Sequence, residues 1–156
     1  MRLQNQYFVL LWVLALPIRL ISAATQIFDD RDPRVQYISG SWAGRGANGE
    51  YRETTSESTS RGDIVEFNFF GTQVAVYGTL GPGNYTTQST YFINGGSPTT
   101  FTTPDGTKQV QYQVPFYTSE ILQENINYTL TIVNQGDYFY LDYIEVTVPD
   151  DCGPQA

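Results

Sequence analysis

Hydrophobic side chains in this chain occur in short alternating runs, and this pattern constrains the fold more than any other feature of the sequence. Val65, Phe67 and Phe69 alternate with polar residues, and Val74 and Val76 repeat the alternation a few residues later. A period of two is typical of a strand with one buried face, and no long segment has the period of about 3.6 residues that marks a helix. The sequence therefore predicts an all-β chain.

Turn-forming residues separate the segments that are rich in β-branched and aromatic residues. Gly71-Thr72 is predicted to form a hairpin turn, and Asn94-Gly95-Gly96 and Asp105-Gly106 are predicted to form further turns. Short strands at this spacing predict a sandwich or a barrel. The predicted strands lie near residues 35–38, 51–55, 63–70, 73–79, 90–93, 99–102, 108–117, 127–134 and 138–147. The side chains expected to point into the core are Val65, Phe67, Phe69, Val74, Val76, Leu130 and Ile132.

The first residues have the pattern of an export signal. Arg2 precedes an apolar stretch at residues 7–16, and small residues follow at 22–24. We predict a signal peptide at residues 1–24, a β-sandwich domain at 25–148 and a C-terminal tail at 149–156. An uncleaved anchor is the alternative, but the stretch is short for a membrane span. The chain is therefore expected to be secreted and extracellular, or held at the cell surface if a C-terminal anchor is missing from it.

Acidic residues dominate the charge. Removal of Arg2 and Arg19 with the leader would leave six basic residues against 16 acidic ones, a net charge of −10. A chain with this charge repels phosphate backbones and anionic lipid surfaces, so nucleic acid is not expected as a partner.

Histidine is absent from the sequence, and Cys152 is the only cysteine. These counts exclude catalysis by Ser-His-Asp or Cys-His groups, zinc sites with histidine ligands, and an intrachain disulfide. A pair of carboxylates remains as the one enzymatic option, and with 16 acidic residues some pair is always available. We therefore expect a chain that binds rather than catalyses.

Two sequons for N-linked glycosylation are present, which predicts a glycoprotein if the chain is exported. Asn84-Tyr85-Thr86 follows the turn residues 80–83, and Asn127-Tyr128-Thr129 begins a predicted strand.

Seven segments, in a fixed order along the chain, carry a resemblance to a known family. They are residues 29–37 (DDRDPRVQY), 41–42 (SW), 65–72 (VEFNFFGT), 74–78 (VAVYG), 92–96 (FINGG), 128–132 (YTLTI) and 140–144 (YLDYI). The chain resembles the extracellular β-sandwich domain of a large fungal family of surface proteins. That domain is similar to the galactose-binding-like jelly rolls that many carbohydrate-binding modules use. The resemblance implies an antiparallel jelly-roll β-sandwich that binds carbohydrate or cell-wall glycan. A structural or protein-interaction ectodomain without a sugar site is the alternative, since function belongs to sites rather than folds.

A structural calcium ion is also implied by the resemblance. In the related modules the ion lies between the chain start and the last strand. Asp142 matches the aspartate of that strand, and Asp29 and Asp30 lie near the chain start, where those modules usually have glutamates. The alternative is that Asp29 and Asp30 cap the turn before Pro33 with their side chains.

Trp42 is the candidate contact for a sugar ring. It is the only tryptophan after the leader, and glycine-rich sequence flanks it at residues 39–46, which would leave the indole accessible. The alternative is a tryptophan that fills the core after a strand.

We expect the mature protein to begin at Ala24 or Thr25, because the apolar stretch ends at Pro17 and small residues follow. N-terminal sequencing of secreted material checks this. A protein that starts at Met1 and stays in the membrane fraction would show that the segment is an anchor.

Overall fold

A computed structural model of the chain describes residues 23–82, 86–104 and 108–149 as β-strands joined by short loops. A single-turn 3₁₀ helix lies at Tyr51–Glu53. The strands are β1 (Ala23–Asp29), β2 (Val35–Ser39), β3 (Trp42–Arg45), β4 (Thr55–Ser58), β5 (Ile64–Phe70), β6 (Gln73–Leu80), β7 (Gln88–Ile93), β8 (Thr99–Thr102), β9 (Gln111–Thr118), β10 (Asn127–Asn134) and β11 (Phe139–Pro149).

The strands form two antiparallel sheets. A five-stranded sheet has the order β2-β5-β10-β7-β8. A six-stranded sheet has the order β3-β4-β11-β6-β9, and β1 pairs with β11 beyond the end of β4. The prediction of an all-β antiparallel sandwich is confirmed.

The core lies between the inner faces of the sheets. Every side chain predicted to point inward does so, and none of them is more than 6% exposed. Aromatic rings hold its centre: the ring of Phe67 lies 5.0 Å from that of Phe28 and 6.0 Å from that of Phe69. Phe28 belongs to β1 and is buried. No strand was predicted there from the sequence, so this core residue was missed.

The strand predicted at residues 51–55 is wrong. Arg52 and Glu53 have φ angles of 54° and 59°, which lie in the left-handed region and break a strand. The backbone N–H of Tyr51 donates to Oδ1 of Asp142 at 2.8 Å, and that of Glu53 donates to the carbonyl of Glu50. These bonds hold the segment in a tight turn, and β4 begins only at Thr55.

Gly71-Thr72 also differs from its prediction, because it joins the two sheets and is not a hairpin turn within one. The strands on either side of it belong to different sheets. The N–H of Thr72 donates to the carbonyl of Thr147 on β11, and a side chain at Gly71 would collide with that carbonyl. The turn at Asn94-Gly95 is confirmed: both residues have positive φ and connect β7 to β8.

The described chain begins and ends at one place, since Ala23 pairs with Pro149. β1 was not among the predicted strands, and neither was β3. β1 also includes the last two residues of the predicted leader.

Some predictions concern residues outside the described ranges. These are the rest of the leader, the Asp105-Gly106 turn, Asn84 and Cys152. Residues 23–82, 86–104 and 108–149 contain no helical segment with the length and hydrophobicity of a membrane span.

Phe67→Ala should lower the free energy of unfolding by about 3–5 kcal/mol, because it leaves a cavity between two aromatic neighbours. Urea denaturation followed by fluorescence or circular dichroism measures this. Phe67→Leu keeps most of the volume and should cost less than the alanine variant, although it loses the ring contacts with Phe28 and Phe69. A loss under about 1 kcal/mol for the alanine variant would contradict the packing described here.

Candidate functional site

Polar and aromatic side chains cover the outer face of the six-stranded sheet. On β11, Tyr140 faces outward between the buried Phe139 and Leu141. On the neighbouring β4, Glu57 takes the outward position between Ser56 and Ser58. Alternation along paired strands therefore places Tyr140 and Glu57 side by side.

A cleft of about 370 Å³ opens on this face, and we call it the outer cleft. Strands β4 and β11 form its floor. The end of β3 with the loop after it lines one part of the rim, and the end of β6 and the start of β9 line the rest. The lining residues are Arg45, Gly46, Ala47, Glu50, Thr55, Glu57, Thr79, Gly81, Pro82, Val110, Tyr112 and Tyr140.

Glu57 forms the polar centre of the outer cleft. Its Oε2 accepts a hydrogen bond from Nε of Arg45 at 2.7 Å, and its Oε1 accepts one from the hydroxyl of Tyr140 at 2.9 Å. The carboxylate is nearly buried, whereas the Arg45 side chain is 59% exposed. One of the five guanidinium N–H groups is used in this pair, so the arginine retains donors that face solvent.

Glu50 is a second carboxylate at the cleft, and it is also held by two donors. The hydroxyl of Thr79 donates to Oε1 at 2.7 Å, and the backbone N–H of Ala47 donates to Oε2 at 2.7 Å. Glu50 therefore fixes the loop that follows β3 against β6.

Tyr112 supplies an exposed aromatic wall. It is 40% exposed, and its ring lies against Gly49, where an added Cβ would come within 2.5 Å of the ring. Gly49 also has a φ of 151°, so both the backbone angle and the close ring favour glycine. Tyr112 and Tyr140 thus provide two rings beside a fixed ion pair, which is the chemistry that a ligand with an apolar face and a rim of hydroxyl groups requires.

The acidic residues singled out in the sequence come together beneath this face. Asp30 follows β1, and its N–H donates to the carbonyl of Asp142, where the pairing of β11 with β6 shifts register. The hydroxyl of Thr54 lies 3.0 Å from Oδ1 of Asp29 and 2.6 Å from Oδ1 of Asp30. Ser56 donates to the other oxygen of Asp30 at 2.7 Å. We call Asp29, Asp30 and Asp142 the acidic cluster.

These contacts differ from the turn cap that was considered for Asp29 and Asp30. The side chain that caps the turn before β2 is Asp32, whose Oδ1 accepts from the backbone N–H of Arg34 at 3.0 Å. Asp32 also pairs with the Arg34 guanidinium through both carboxylate oxygens, which lowers the pKa of Asp32.

The acidic cluster fits a calcium ion only in part. Oδ2 of Asp142 is buried and has no hydrogen-bond partner among the described residues, which leaves one oxygen for a cation or a proton. Three carboxylate oxygens of Asp29 and Asp30 already lie against the hydroxyl groups of Thr54 and Ser56. In the described part of the chain, no group of three or more His, Cys, Asp or Glu residues is placed to hold a metal ion. Calcium at Asp29, Asp30 and Asp142 stays a prediction.

Burial and charge act together on Asp142. Burial raises the pKa of Asp142 to about 7, and repulsion from Glu50, Asp30 and Asp29 acts in the same direction, while the hydrogen bond from Tyr51 opposes it. Burial likewise raises the pKa of Asp30. Near neutral pH Asp142 is therefore protonated in a substantial fraction of the molecules, whereas a free aspartate would have lost its proton.

Trp42 lies outside the outer cleft. Its indole is half-buried, with its ring 4.9 Å from that of Tyr37 and 6.2 Å from that of Phe139, and its N–H donates to the carbonyl of Ser39. It packs against the core as the alternative interpretation proposed. A sugar contact at Trp42 stays a prediction.

Sequence reasoning missed the residues of the outer cleft. Alternation along β11 could have placed Tyr140 on an outer face. The pairing that brings Arg45, Glu57 and Tyr140 together has no local sequence signal, because 83 residues separate Glu57 from Tyr140.

Solved structures of other proteins share this architecture. A carbohydrate-binding module, the CBM35 from Cellvibrio japonicus Abf62, matches with a TM-score of 0.57 at 13% identity, over 83% of this chain and 100% of that one. An exo-β-1,3-galactanase from Phanerochaete chrysosporium, solved with β-1,3-galactotriose, matches with a TM-score of 0.58 at 19% identity, over 78% of this chain. A GH26-CBM35 β-(1,4)-mannanase from Podospora anserina matches with a TM-score of 0.55 at 17% identity, over 84% of this chain.

The chain covers 29% of each of the last two proteins. No protein-family model matches the chain, and no curated protein matches it. At these identities the comparisons establish the jelly-roll β-sandwich fold.

The free energy of unfolding should fall as the pH rises from about 4 to about 7. The pKa of Asp142 is about 7 in the folded chain, whereas an unfolded aspartate has a pKa near 4, so the folded state binds more protons between these two values. Asp142→Asn keeps the acceptor for Tyr51 and carries no charge, so its stability should depend less on pH. Thermal melting at pH 4.5 and 7.5 in chelator measures both proteins.

Asp32→Asn is the matched control. The pKa of Asp32 is lowered, so its contribution to the pH dependence of stability falls at pH values below this interval. Equal pH dependence in wild type and Asp142→Asn would contradict the role of Asp142. The same samples test the calcium prediction: a rise of several degrees in Tm with calcium, absent from Asp142→Asn, would confirm it, and identical melting in calcium and in chelator would contradict it.

Proposed function

We propose that this chain is a non-catalytic carbohydrate-binding domain that holds a glycan in the outer cleft. The observation that carries the proposal is the arrangement of Tyr112 and Tyr140 around the Arg45–Glu57 pair. The fold agrees with it, since the jelly roll that matches along its whole length is itself a carbohydrate-binding module.

Sugar chemistry suits this cleft. A pyranose ring has an apolar C–H face that packs on an aromatic ring, and Tyr112 is sufficiently exposed to receive one. Its hydroxyl groups need charged or polar partners at the rim, and the exposed guanidinium of Arg45 can donate to them while Glu57 keeps it in place. The cleft's 370 Å³ lies within the range of small-ligand sites, which matches a short stretch of a saccharide.

The two carboxylates of the cleft support binding rather than hydrolysis. A glycosidase needs one carboxylic acid that can give a proton to the leaving group and a second carboxylate that is free to act as base or nucleophile. Both oxygens of Glu50 and both oxygens of Glu57 accept hydrogen bonds from the protein. We therefore assign these residues to positioning the site, and we propose no catalytic residue.

The proposal includes an extracellular location for the domain. It is supported by the pattern of residues 1–24, and the glycans would then be those of a cell wall or of an external polysaccharide.

Tyr112→Ala should weaken saccharide binding roughly 2–13-fold, which corresponds to the loss of an aromatic contact of about 0.5–1.5 kcal/mol. Tyr112→Phe should bind as well as wild type, because the ring and not the hydroxyl makes the contact. Tyr140→Phe should weaken binding by a smaller factor, since it keeps a ring but frees one oxygen of Glu57. A glycan array identifies the saccharide, with β-1,4-mannan and β-1,3-galactan as the first soluble probes, and calorimetry or affinity electrophoresis then compares the variants.

Phe70→Ala is the matched control, because Phe70 is a similarly exposed aromatic residue (38%) that does not line the outer cleft. It should bind normally. Failure of wild type to bind any glycan would overturn the proposal and favour an ectodomain that contacts protein. Binding that Phe70→Ala abolishes and Tyr112→Ala does not would place the sugar site elsewhere.

A further inference from the structure

A larger cleft, of about 800 Å³, opens at the end of the sandwich where the described chain begins and ends, and we call it the base cleft. Its lining includes Phe28, Phe69 and Val148 from the core and Asn127 and Phe70 from the five-stranded sheet. The base cleft shares no lining residue with the outer cleft.

Asn127 and Phe70 are direct cross-strand partners on β10 and β5. Both are exposed, whereas their neighbours Tyr128 and Phe69 point into the core, so Asn127 and Phe70 share the outer face of the five-stranded sheet. Side chains directly opposite each other on one face have Cβ atoms about 4.5–5.5 Å apart. The acceptor asparagine of a sequon thus stands beside an exposed aromatic ring.

A second exposed apolar residue precedes Asn127 along the chain. Ile126, its neighbour along the chain, is 38% exposed, as is Phe70 across the ladder. A group that covers such side chains removes apolar surface from water and stabilises the folded state. A saccharide attached to Asn127 would lie beside Phe70, because the two residues are cross-strand partners.

We propose that an N-linked oligosaccharide on Asn127 is a structural part of this domain, with the C–H face of its first sugar packed on Phe70 at the rim of the base cleft. The proposal does not depend on glycan binding in the outer cleft. It depends on passage of the chain through a secretory compartment, where the glycosylation machinery resides.

The modification is a group transfer that needs a lipid-diphosphate-linked oligosaccharide as donor. Nδ2 of Asn127 attacks the anomeric carbon of the first sugar, and a C–N bond forms there. The bond between that carbon and the diphosphate oxygen breaks, the amide gives up one proton, and the lipid diphosphate leaves. Nothing is oxidised or reduced.

The bonds of the sequon in the folded structure favour a transfer that precedes folding. The sequon hydroxyl of Thr129 donates to Oδ1 of Asn68 at 2.7 Å, and the N–H of Thr129 donates to Oδ1 of Asn94 at 2.9 Å. These bonds, together with the pairing of β10 to β5, occupy the Thr129 hydroxyl and the backbone of the sequon with partners inside the domain. The sugar is therefore in place when Phe70 reaches Asn127, and it adds a contact only to the folded state.

The test uses the Asn84→Gln chain, which retains the Asn127 sequon alone, secreted under a heterologous leader from a yeast that adds high-mannose glycans. Intact mass should show one glycan that Asn127→Gln removes. Part of the sample is trimmed by an endoglycosidase to one N-acetylglucosamine, and part is freed of all sugar by an amidase that converts the acceptor asparagine to aspartate. Asn127→Asp, made without sugar, is the matched reference for the amidase product.

The trimmed protein should melt at the same temperature as the fully glycosylated one, because the first sugar makes the contact. Complete removal should lower Tm by roughly 2–6 °C, the shift expected for one aromatic contact in a domain of this size. Phe70→Ala should reduce this difference to under about 1 °C, and Phe70→Tyr, which keeps an aromatic ring, should preserve it.

Three results would each overturn the proposal: an unmodified Asn127 in secreted protein, an equal Tm with and without the first sugar, or an undiminished difference in Phe70→Ala. None of them would affect saccharide binding at Tyr112, which a separate assay measures.

Discussion

Strand β11 is the element on which the rest of the structure depends, because it pairs along both edges. β6 runs along one edge, and β1 and β4 share the other. Its inward side chains, among them Leu141, Ile144 and Val146, are at most 1% exposed. β11 thus holds β1 beside the centre of the six-stranded sheet. Both ends of the described chain contribute to the core, Phe28 from β1 and Val148 from β11.

The same strand joins the acidic cluster to the outer cleft. At Asp142 the pairing with β6 shifts register, and the side chain turns inward and accepts the N–H of Tyr51. Two residues before, Tyr140 faces outward and holds Glu57. A buried carboxylate beside other acidic groups destabilises a fold unless donors or a proton compensate for it. Thr54, Ser56 and the backbone of Tyr51 provide donors here. Because the pKa of Asp142 is raised, partial protonation of Asp142 also reduces the negative charge near neutral pH.

The two sheets differ in what their outer surfaces can do. The six-stranded sheet has a small polar cleft with a fixed ion pair and two tyrosine rings, which is suited to a ligand that arrives from solution. The five-stranded sheet has an exposed aromatic ring beside a sequon, which is suited to a saccharide attached to the chain itself. The first proposal concerns a saccharide from solution and the second a saccharide bonded to the chain, and the two clefts share no lining residue.

Local alternation determined the fold class, and it determined which side chains of β5, β6 and β10 form the core, because a strand with one buried face must repeat every second residue. The resemblance carried by short segments pointed to the jelly roll, and the comparisons bear it out. The resemblance also implied that Asp29, Asp30 and Asp142 could meet, although the hydroxyl groups that contact Asp29 and Asp30 were not foreseen.

Only the tertiary structure decided the residues of the outer cleft, the sheet crossing at Gly71-Thr72 and the turn at residues 51–53. The turn is held by a carboxylate 91 residues away, so propensity within the segment predicted a strand that a distant hydrogen bond prevents. The side-chain period of a strand shows which face a residue occupies, but it does not show which strand lies beside it. Sites made from neighbouring strands, such as Arg45, Glu57 and Tyr140, therefore exist only once the sheets have paired.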